Sequence, residues 1–220
     1  MTDVLKPDIC VIGGGSGGLS VAAAAAQFGV DVVLLEKGKM GGDCLNYGCV
    51  PSKAIIASAK LAQAMREAGR FGIARTEPKV DPAGVHDHVH AVIGAIAPHD
   101  SVERFTGLGV RVIEEAGRFT DRNTVQAGDT VIQARRFVVA TGSSPAVPPI
   151  PGLDKVPYFT NETIFDNKKA LPHLMIIGGG PIGMELAQAH RRLGAQVTVV
   201  EMATPLPKDD PEAAAGGING

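Results

Sequence analysis

The chain has 220 residues, enough for one large domain or two small ones with a sizeable buried core. Its net charge of −2 and its pI near 6.3 give no electrostatic case for binding nucleic acid or an anionic membrane. No apolar run approaches the roughly 18–20 residues of a membrane span, residues 1–7 lack the pattern of a secretory signal, and we therefore expect a cytoplasmic protein.

The first part of the chain carries a nucleotide-binding pattern. The 28 glycines, with only two tyrosines and no tryptophan, indicate an α/β protein with many tight strand–helix turns. A buried strand is predicted over residues 8–12, a glycine-rich turn over 13–18, an alanine-rich helix over 19–28, and a second strand over 30–35 that ends in Glu36. This order of strand, Gly-x-Gly-x-x-Gly, helix, strand and acid is the one that a dinucleotide site requires.

Each residue type in this pattern has a physical task. Gly13 allows the tight turn, Gly15 lets the backbone approach a pyrophosphate, and Gly18 brings helix and strand together. The helix N-terminus offers N–H groups and a partial positive charge to phosphates, and Glu36 is placed to bind ribose hydroxyls. The alternative is an ordinary glycine-rich turn. Cys10, within the first strand, is interpreted as a structural core residue.

Two of the three cysteines lie close together in residues 41–53. A regular helix would separate Cys44 and Cys49 by about 7.5 Å, beyond the roughly 4.4–6.8 Å between the Cα atoms of a disulfide. A bond between them therefore requires a bent backbone, which Gly48 permits, with Pro51 in the first turn of the following helix. Such a bridge would be labile and functional rather than structural. Two unpaired buried thiols, or a metal pair, remain alternatives.

The whole string resembles the redox-disulfide signature of the flavoprotein disulfide reductases, the family of dihydrolipoamide dehydrogenase, glutathione reductase and mercuric reductase. Asp43 and Tyr47 depart from the usual pattern, at positions peripheral to the chemistry. The resemblance implies two doubly wound Rossmann-like folds, the second incomplete, with FAD and NAD as cofactors and NADP as the less favoured alternative. It also implies that electrons pass from NAD(P)H through FAD to a Cys44–Cys49 disulfide, with Cys49 next to the flavin and Cys44 exchanging with a disulfide substrate.

An amphipathic helix is predicted over residues 53–69, with Cys49 at or near its start. The positive end of the helix dipole, together with Lys53, would lower the pKa of the Cys49 thiol. The resemblance implies that Glu185 pairs with Lys53, and that Lys53 stabilises the charge of the reduced flavin. The alternative for Lys53 is an exposed helix lysine.

Four histidines, His86, His88, His90 and His99, lie between residues 81 and 100. On a helix His86 and His90 would share a face, but the sequence offers no second ligand cluster at ordinary spacing. We therefore predict a solvated helix face and no metal site.

A small β-meander and a buried strand follow. Strands are predicted over residues 110–113, 116–119, 124–127, 130–134 and 137–140. The resemblance implies that Ala140, Thr141 and Gly142 lie beside the FAD and that the backbone at Ala116 and Gly117 meets its adenine.

The first pattern then recurs. After a proline-rich linker, a strand is predicted over 174–177, a glycine turn over 178–183, a helix over 184–193 and a strand over 196–200. Glu201 ends that strand, and a carboxylate there accepts a ribose 2′-hydroxyl and repels a 2′-phosphate, which favours NADH over NADPH. Many relatives have an aromatic residue at the position of Pro181, so no gating of the nicotinamide pocket is predicted.

These patterns predict an FAD-binding domain over residues 1–145, a linker over 146–172 and a partial NAD-binding domain over 173–220. Residues 210–215 resemble the start of a further helix. In the resembled family the chain continues through the rest of both domains to a dimerisation domain, whose His-Glu pair serves the partner's disulfide. We therefore expect a homodimer for a full-length relative.

The main interpretation is an enzyme similar to dihydrolipoamide dehydrogenase. A non-catalytic FAD-binding fragment is one alternative. A mercuric-reductase-like enzyme is another, although dedicated members add a C-terminal cysteine pair that this chain lacks.

The predicted catalytic residues are Cys44, Cys49, Lys53 and Glu185. The predicted cofactor-binding residues are Gly13, Gly15, Ser16, Gly17, Gly18, Glu36, Lys37, Gly41, Gly42, Asp43, Lys53, Ala116, Gly117, Ala140, Thr141, Gly142, Gly178, Gly180, Pro181, Ile182, Glu185 and Glu201.

Overall fold

A computed structural model of the chain describes residues 3–202, 204, 206, 211–212 and 215. The helix start predicted over residues 210–215 lies partly outside this set. The strands and helices are, in chain order, β1 (Asp3–Leu5), β2 (Ile9–Ile12), α1 (Ser16–Gln27), β3 (Val32–Leu35), α2 (Gly42–Asn46), α3 (Cys49–Glu67), α4 (Pro82–Ile96), α5 (Val102–Gly107), β4 (Arg111–Ile113), β5 (Gly117–Asp121), β6 (Thr124–Ala127), β7 (Thr130–Ile132), β8 (Arg136–Val139), β9 (His173–Ile177), α6 (Pro181–Arg192) and β10 (Gln196–Val200). Short 3₁₀ turns lie at Ala68–Phe71, Ala97–Asp100, Leu153–Lys155 and Ile164–Asp166.

These elements form two compact units. One consists of Met1–Val50 and Val92–Ile164, and the other of Pro51–Ala91 and Phe165–Gly220. The domain boundaries expected at residues 145 and 172 stay a prediction. None of the helices in the described part of the chain is long and apolar enough to cross a membrane.

A parallel sheet with the strand order β4-β3-β2-β8 forms the centre of the first unit. Strands β2 and β3 read as short apolar runs because both of their faces are covered, as in parallel sheets generally. Helix α1 covers one face, where Val11, Val32 and Leu34 pack against Leu19 and Ala22.

The opposite face of this sheet packs against the β-meander. Cys10 and Leu35 contribute to one buried cluster with Val125 and Ile132 of the meander. The meander is antiparallel over β5, β6 and β7, and β1 adds to it in parallel beside β7. The sequence predicted the meander but missed β1, because three residues are too few to show a period.

The second unit repeats a strand–helix–strand motif. Strands β9 and β10 pair in parallel in a two-stranded sheet, and α6 connects them. With the first unit, this confirms the predicted α/β class with Rossmann-like parallel sheets.

We expect Gly18→Ala to lower the free energy of unfolding by about 1–3 kcal/mol, as overpacking does in well-packed cores. The added Cβ would overlap the carbonyl oxygen of Gly13 and lie 3.1 Å from Val11. Gly17→Ala is the matched control in the same helix turn, because a Cβ there meets no described atom within 4 Å. Urea unfolding followed by circular dichroism measures both variants, and equal loss of stability in the two would contradict the packing argument.

Candidate functional site

The first glycine turn brings two predicted cofactor-binding segments together. Gly13 has φ +112°, and its N–H donates to the carbonyl oxygen of Leu35 at 2.8 Å. A Cβ at Gly13 would overlap the carbonyl oxygen of Ala140, and it would lie 3.2 Å from the Thr141 nitrogen. Only glycine allows this approach, so the turn and the segment of residues 140–142 lie side by side.

The same turn also contacts the start of the segment over residues 41–49, which carries both Cys44 and Cys49 and is called the cysteine loop below. Gly41 and Gly42 have φ values of +84° and +56°, and the Gly41 N–H donates to the Gly14 carbonyl at 2.8 Å. A Cβ at Gly42 would lie only 2.6 Å from the Cα of Gly15. Gly15 is also the N-cap of α1, so the loop approaches the helix end that is predicted to face a phosphate.

Glu36 is held by the backbone rather than projecting freely. Its Oε2 accepts a hydrogen bond from the Gly14 N–H at 2.6 Å, and its Oε1 accepts one from Gly38 at 2.7 Å. Both amides fix the carboxylate beside the glycine turn. The sequence pattern located the acid but gave no sign of these two partners.

The second glycine turn reproduces this geometry. Glu201 accepts a hydrogen bond from the Gly179 N–H at 2.7 Å, and the two residues are separated by 22 positions, as are Glu36 and Gly14. Gly178 has φ +115°, and a Cβ at Gly183 would overlap its carbonyl oxygen. The sequence repeat is therefore also a repeat of backbone structure.

The backbone bends between the two cysteines. Cys44 lies in α2, which ends at Asn46, and Cys49 is the first residue of α3. Gly48 does not have a positive φ, whereas Gly41 and Gly42 at the start of this loop do. A Cβ at Gly48 would lie 2.7 Å from the carboxylate Oδ2 of Asp43.

Two polar side chains that the sequence analysis missed stabilise this loop. Nδ2 of Asn46 donates to the carbonyl oxygens of Met40 at 3.0 Å and Gly42 at 2.9 Å. Nδ2 of Asn161 donates to Asp43 Oδ1 at 3.2 Å. Asparagine commonly bonds to nearby backbone in turns, which is the signal that could have identified Asn46. No local pattern connects Asn161 to the loop.

Cys44 and Cys49 face each other as thiols. A hydrogen bond with the Cys49 thiol, then burial, then the charge of Cys49 raise the pKa of Cys44 to about 11, against a smaller lowering by the Cys49 N–H. Cys44 is half-buried and Cys49 is exposed. Cys10 is fully buried, as predicted, and burial raises its pKa to about 11.

The expected pair of Lys53 and Glu185 is present. Nζ of Lys53 donates to both carboxylate oxygens, at 2.8 and 2.7 Å. The side chains expose 60% and 42% of their surfaces, and ion pairs this exposed contribute only about 0–1 kcal/mol to stability. The pair therefore adds little to the stability of the fold.

The remaining predicted residues have plainer surroundings. Lys37 and Ile182 are exposed, and Pro181 begins α6 after the N-cap Gly180. A Cβ at Gly117 would lie 2.7 Å from a methyl group of Leu35, which explains this glycine by core packing alone. Their proposed contacts with cofactor stay predictions.

The solvated face predicted for the histidines is only partly correct. His88 and His99 are exposed, but only 10% of the His86 side chain is. The period of the helix explains the difference, because His86 and His90 lie on the same side as buried Val89.

Comparison with protein families decides the assignment. Residues 7–216 match the model of the pyridine nucleotide-disulphide oxidoreductases. The chain belongs to this family.

Named members share substantial identity with the chain. The mercuric reductase of Streptomyces lividans is 34% identical over 215 residues, which cover 95% of this chain and 45% of that protein. The dihydrolipoyl dehydrogenase of Haloferax volcanii is 39% identical over 209 residues, covering 89% of this chain and 42% of that protein. The chain thus spans less than half the length of these members.

A solved structure in the family has the same fold. The HOCl-induced flavoprotein disulfide reductase RclA from Escherichia coli matches with a TM-score of 0.82 at 25% identity. The match covers 96% of this chain and 46% of that one.

We expect Cys49→Ala to lower the pKa of Cys44, because it removes the largest cause of the raised value of about 11. The thiolate is the reactive form, so alkylation of Cys44 by iodoacetamide at pH 8 should accelerate by roughly tenfold, with its pH midpoint shifted down. Mass spectrometry of the Cys44 peptide gives the rate. Cys10→Ala is the control and should leave that rate unchanged; the same rate in all three proteins would refute the coupling.

Proposed function

We propose that this chain is the cofactor-binding and redox portion of a disulfide reductase, in which Cys44 and Cys49 alternate between dithiol and disulfide. The hydrogen-bonded thiol pair in a loop packed on the first glycine turn supports this proposal most directly. Oxidation of the pair releases two electrons and two protons, and reduction takes them up again.

The residues of the first turn fit FAD. A Gly15 N-cap without a side chain leaves the first amides of α1 to a phosphate, and a Cβ at Gly17 meets no described atom within 4 Å. Gly13, Gly15 and Glu36 would hold the adenosine and pyrophosphate, with Gly42 beside them. When bound, FAD accepts a hydride from the nicotinamide and passes two electrons to the disulfide.

The two cysteines have separate tasks in this proposal. Cys49, the first residue of α3, would supply the sulfur next to a bound flavin. Cys44 exchanges with the disulfide substrate. Because the pKa of Cys44 is raised, its proton stays in place at neutral pH until a base removes it. In longer relatives that base would belong to a region with no counterpart in these 220 residues. We also propose that the protein is a cytoplasmic homodimer.

Lys53 and Glu185 act as a positioning pair. The bidentate contact holds the ammonium on α3, the helix that Cys49 begins. A fixed positive charge there would stabilise negative charge on the reduced cofactor.

The second turn is proposed to bind NADH in preference to NADPH. Glu201 is held by the N–H groups of Gly179 and Met202, both at 2.7 Å. A carboxylate fixed at the end of β10 would accept ribose hydroxyls and repel a 2′-phosphate.

The proposed substrate is a small or protein-bound disulfide, as for dihydrolipoamide dehydrogenase. Mercuric ion is the second candidate, because mercuric reductases are among the relatives at 34% identity. If the chain acts without further domains, it would bind flavin and cycle its thiols but not turn over a disulfide.

We expect the purified protein to bind FAD and to develop long-wavelength charge-transfer absorbance when dithionite reduces it, because a Cys49 thiolate would lie against the flavin. Cys49→Ser should abolish this band, whereas the matched Cys44→Ser should keep it. Failure to bind FAD would sink the proposal. NADH oxidation coupled to lipoamide or to Hg²⁺ then separates the two substrates, and flavin binding without either activity identifies a non-catalytic fragment.

We expect Glu201→Ala to lower the ratio of the NADPH dissociation constant to the NADH dissociation constant by roughly tenfold, equal to about 1.4 kcal/mol. The substitution removes the charge that disfavours a 2′-phosphate. Fluorescence titration with each nucleotide measures the ratio. Glu36→Ala, at the equivalent position of the first turn, is the control and should change FAD binding but not this ratio; an unaltered ratio in Glu201→Ala would remove the basis for NADH preference.

A further inference from the structure

Two histidines and an aspartate that belong neither to the cysteine loop nor to the glycine turns form a cluster. His86 and His90 are four residues apart on α4, and their ring centroids are 4.1 Å apart. Asp166 ends the 3₁₀ turn Ile164–Asp166, and its Oδ1 lies 3.4 Å from Nε2 of His90. One ligand atom from each of the three residues lies within 4.8 Å of the other two.

We propose that His86, His90 and Asp166 form a binding site for a divalent transition-metal ion of the zinc class. Two imidazoles and a carboxylate are a common protein ligand set for Zn²⁺, with a fourth position left to water. The ligand set does not suit Mg²⁺ or Ca²⁺, which prefer oxygen ligands throughout.

The distances support this assignment. Tetrahedral ligands at about 2.1 Å from a metal are about 3.4 Å from each other, and His90 and Asp166 already have that separation. No separation in the cluster exceeds 4.8 Å, so closing it around an ion requires the ligand atoms to approach by at most about 1.4 Å. The carbonyl oxygen of Phe165 lies 3.2 Å from His90 Nε2, and His90 would give up this contact when that nitrogen binds an ion.

A neighbouring carboxylate orients one of the ligands. Nδ1 of His86 lies 2.9 Å from Oδ1 of Asp87, so this ring can donate its Nδ1–H and present Nε2 to a metal. Metal-ligating histidines usually have such a carboxylate or carbonyl partner. Lys168, whose Nζ lies 3.7 Å from the same Asp87 oxygen, balances the charge of this outer carboxylate and is not in the ligand set.

The alternative is a simple ion pair between protonated His90 and Asp166. It accounts for the contact of 3.4 Å but gives no role to His86, whose ring lies 4.1 Å from that of His90 on the same face of α4.

Zn²⁺ binding is measured by isothermal titration on protein without a polyhistidine tag, in a Cys44→Ser/Cys49→Ser background, because thiolates also bind zinc. We expect one Zn²⁺ per chain. His90→Gln and Asp166→Asn should each weaken binding at least tenfold, while His88→Gln, an exposed histidine on the same helix, should change it less than twofold. Asp166 is well exposed, so Asp166→Asn tests the site with little risk to folding.

A spectroscopic readout identifies the ligands. Cu²⁺ should bind the same side chains more tightly than Zn²⁺, and electron paramagnetic resonance should show coupling to imidazole nitrogens that His90→Gln reduces. An absence of Zn²⁺ binding in the double-serine background overturns the proposal. So does equal weakening by His88→Gln, or binding that persists in both His90→Gln and Asp166→Asn.

Discussion

At the first glycine turn, segments of backbone approach one another more closely than side chains would allow. Gly13 meets the carbonyl of Ala140, Gly18 meets the carbonyl of Gly13, and Gly42 meets the Cα of Gly15. Each contact fixes a different segment against the C-terminal end of the parallel sheet, where ligands bind in open α/β folds. The arrangement of the cysteine loop and of the residue 140–142 segment depends on these contacts.

Local backbone geometry could be predicted from the sequence where a residue type favours one conformation or one contact. Glycines at fixed spacing, an acid at a strand end and two cysteines near a helix start each predict a local geometry, and both glycine turns have that geometry. Boundaries were less accurate. Helix α6 begins at Pro181 rather than at the predicted residue 184, because proline in the first turn costs a helix little.

The features that were missed depend on contacts between distant parts of the chain. Asn161 bonds to Asp43, and Asp166 lies beside His90, yet neither residue belongs to a periodic pattern. Spacing rules consider ligands within one segment, and they therefore could not relate the two histidines to Asp166, the proposed third ligand, which lies in a later turn. Strand β1 was missed for a related reason, since its pairing partner β7 lies far along the chain.

The two glycine turns share one backbone geometry, so they cannot by themselves explain two different tasks. In each turn the first glycine has a positive φ, and the second residue, Gly14 or Gly179, donates its N–H to a glutamate carboxylate. What distinguishes the first turn is the loop packed on it: Gly41 bonds to Gly14, and Cys44 follows within the next helix. The difference between the two turns therefore lies in the loop that packs on the first turn and not in the turn itself. In the proposed function, a cofactor held by the first turn would therefore lie near the loop that carries the two thiols, and the second turn would hold the nucleotide that supplies electrons.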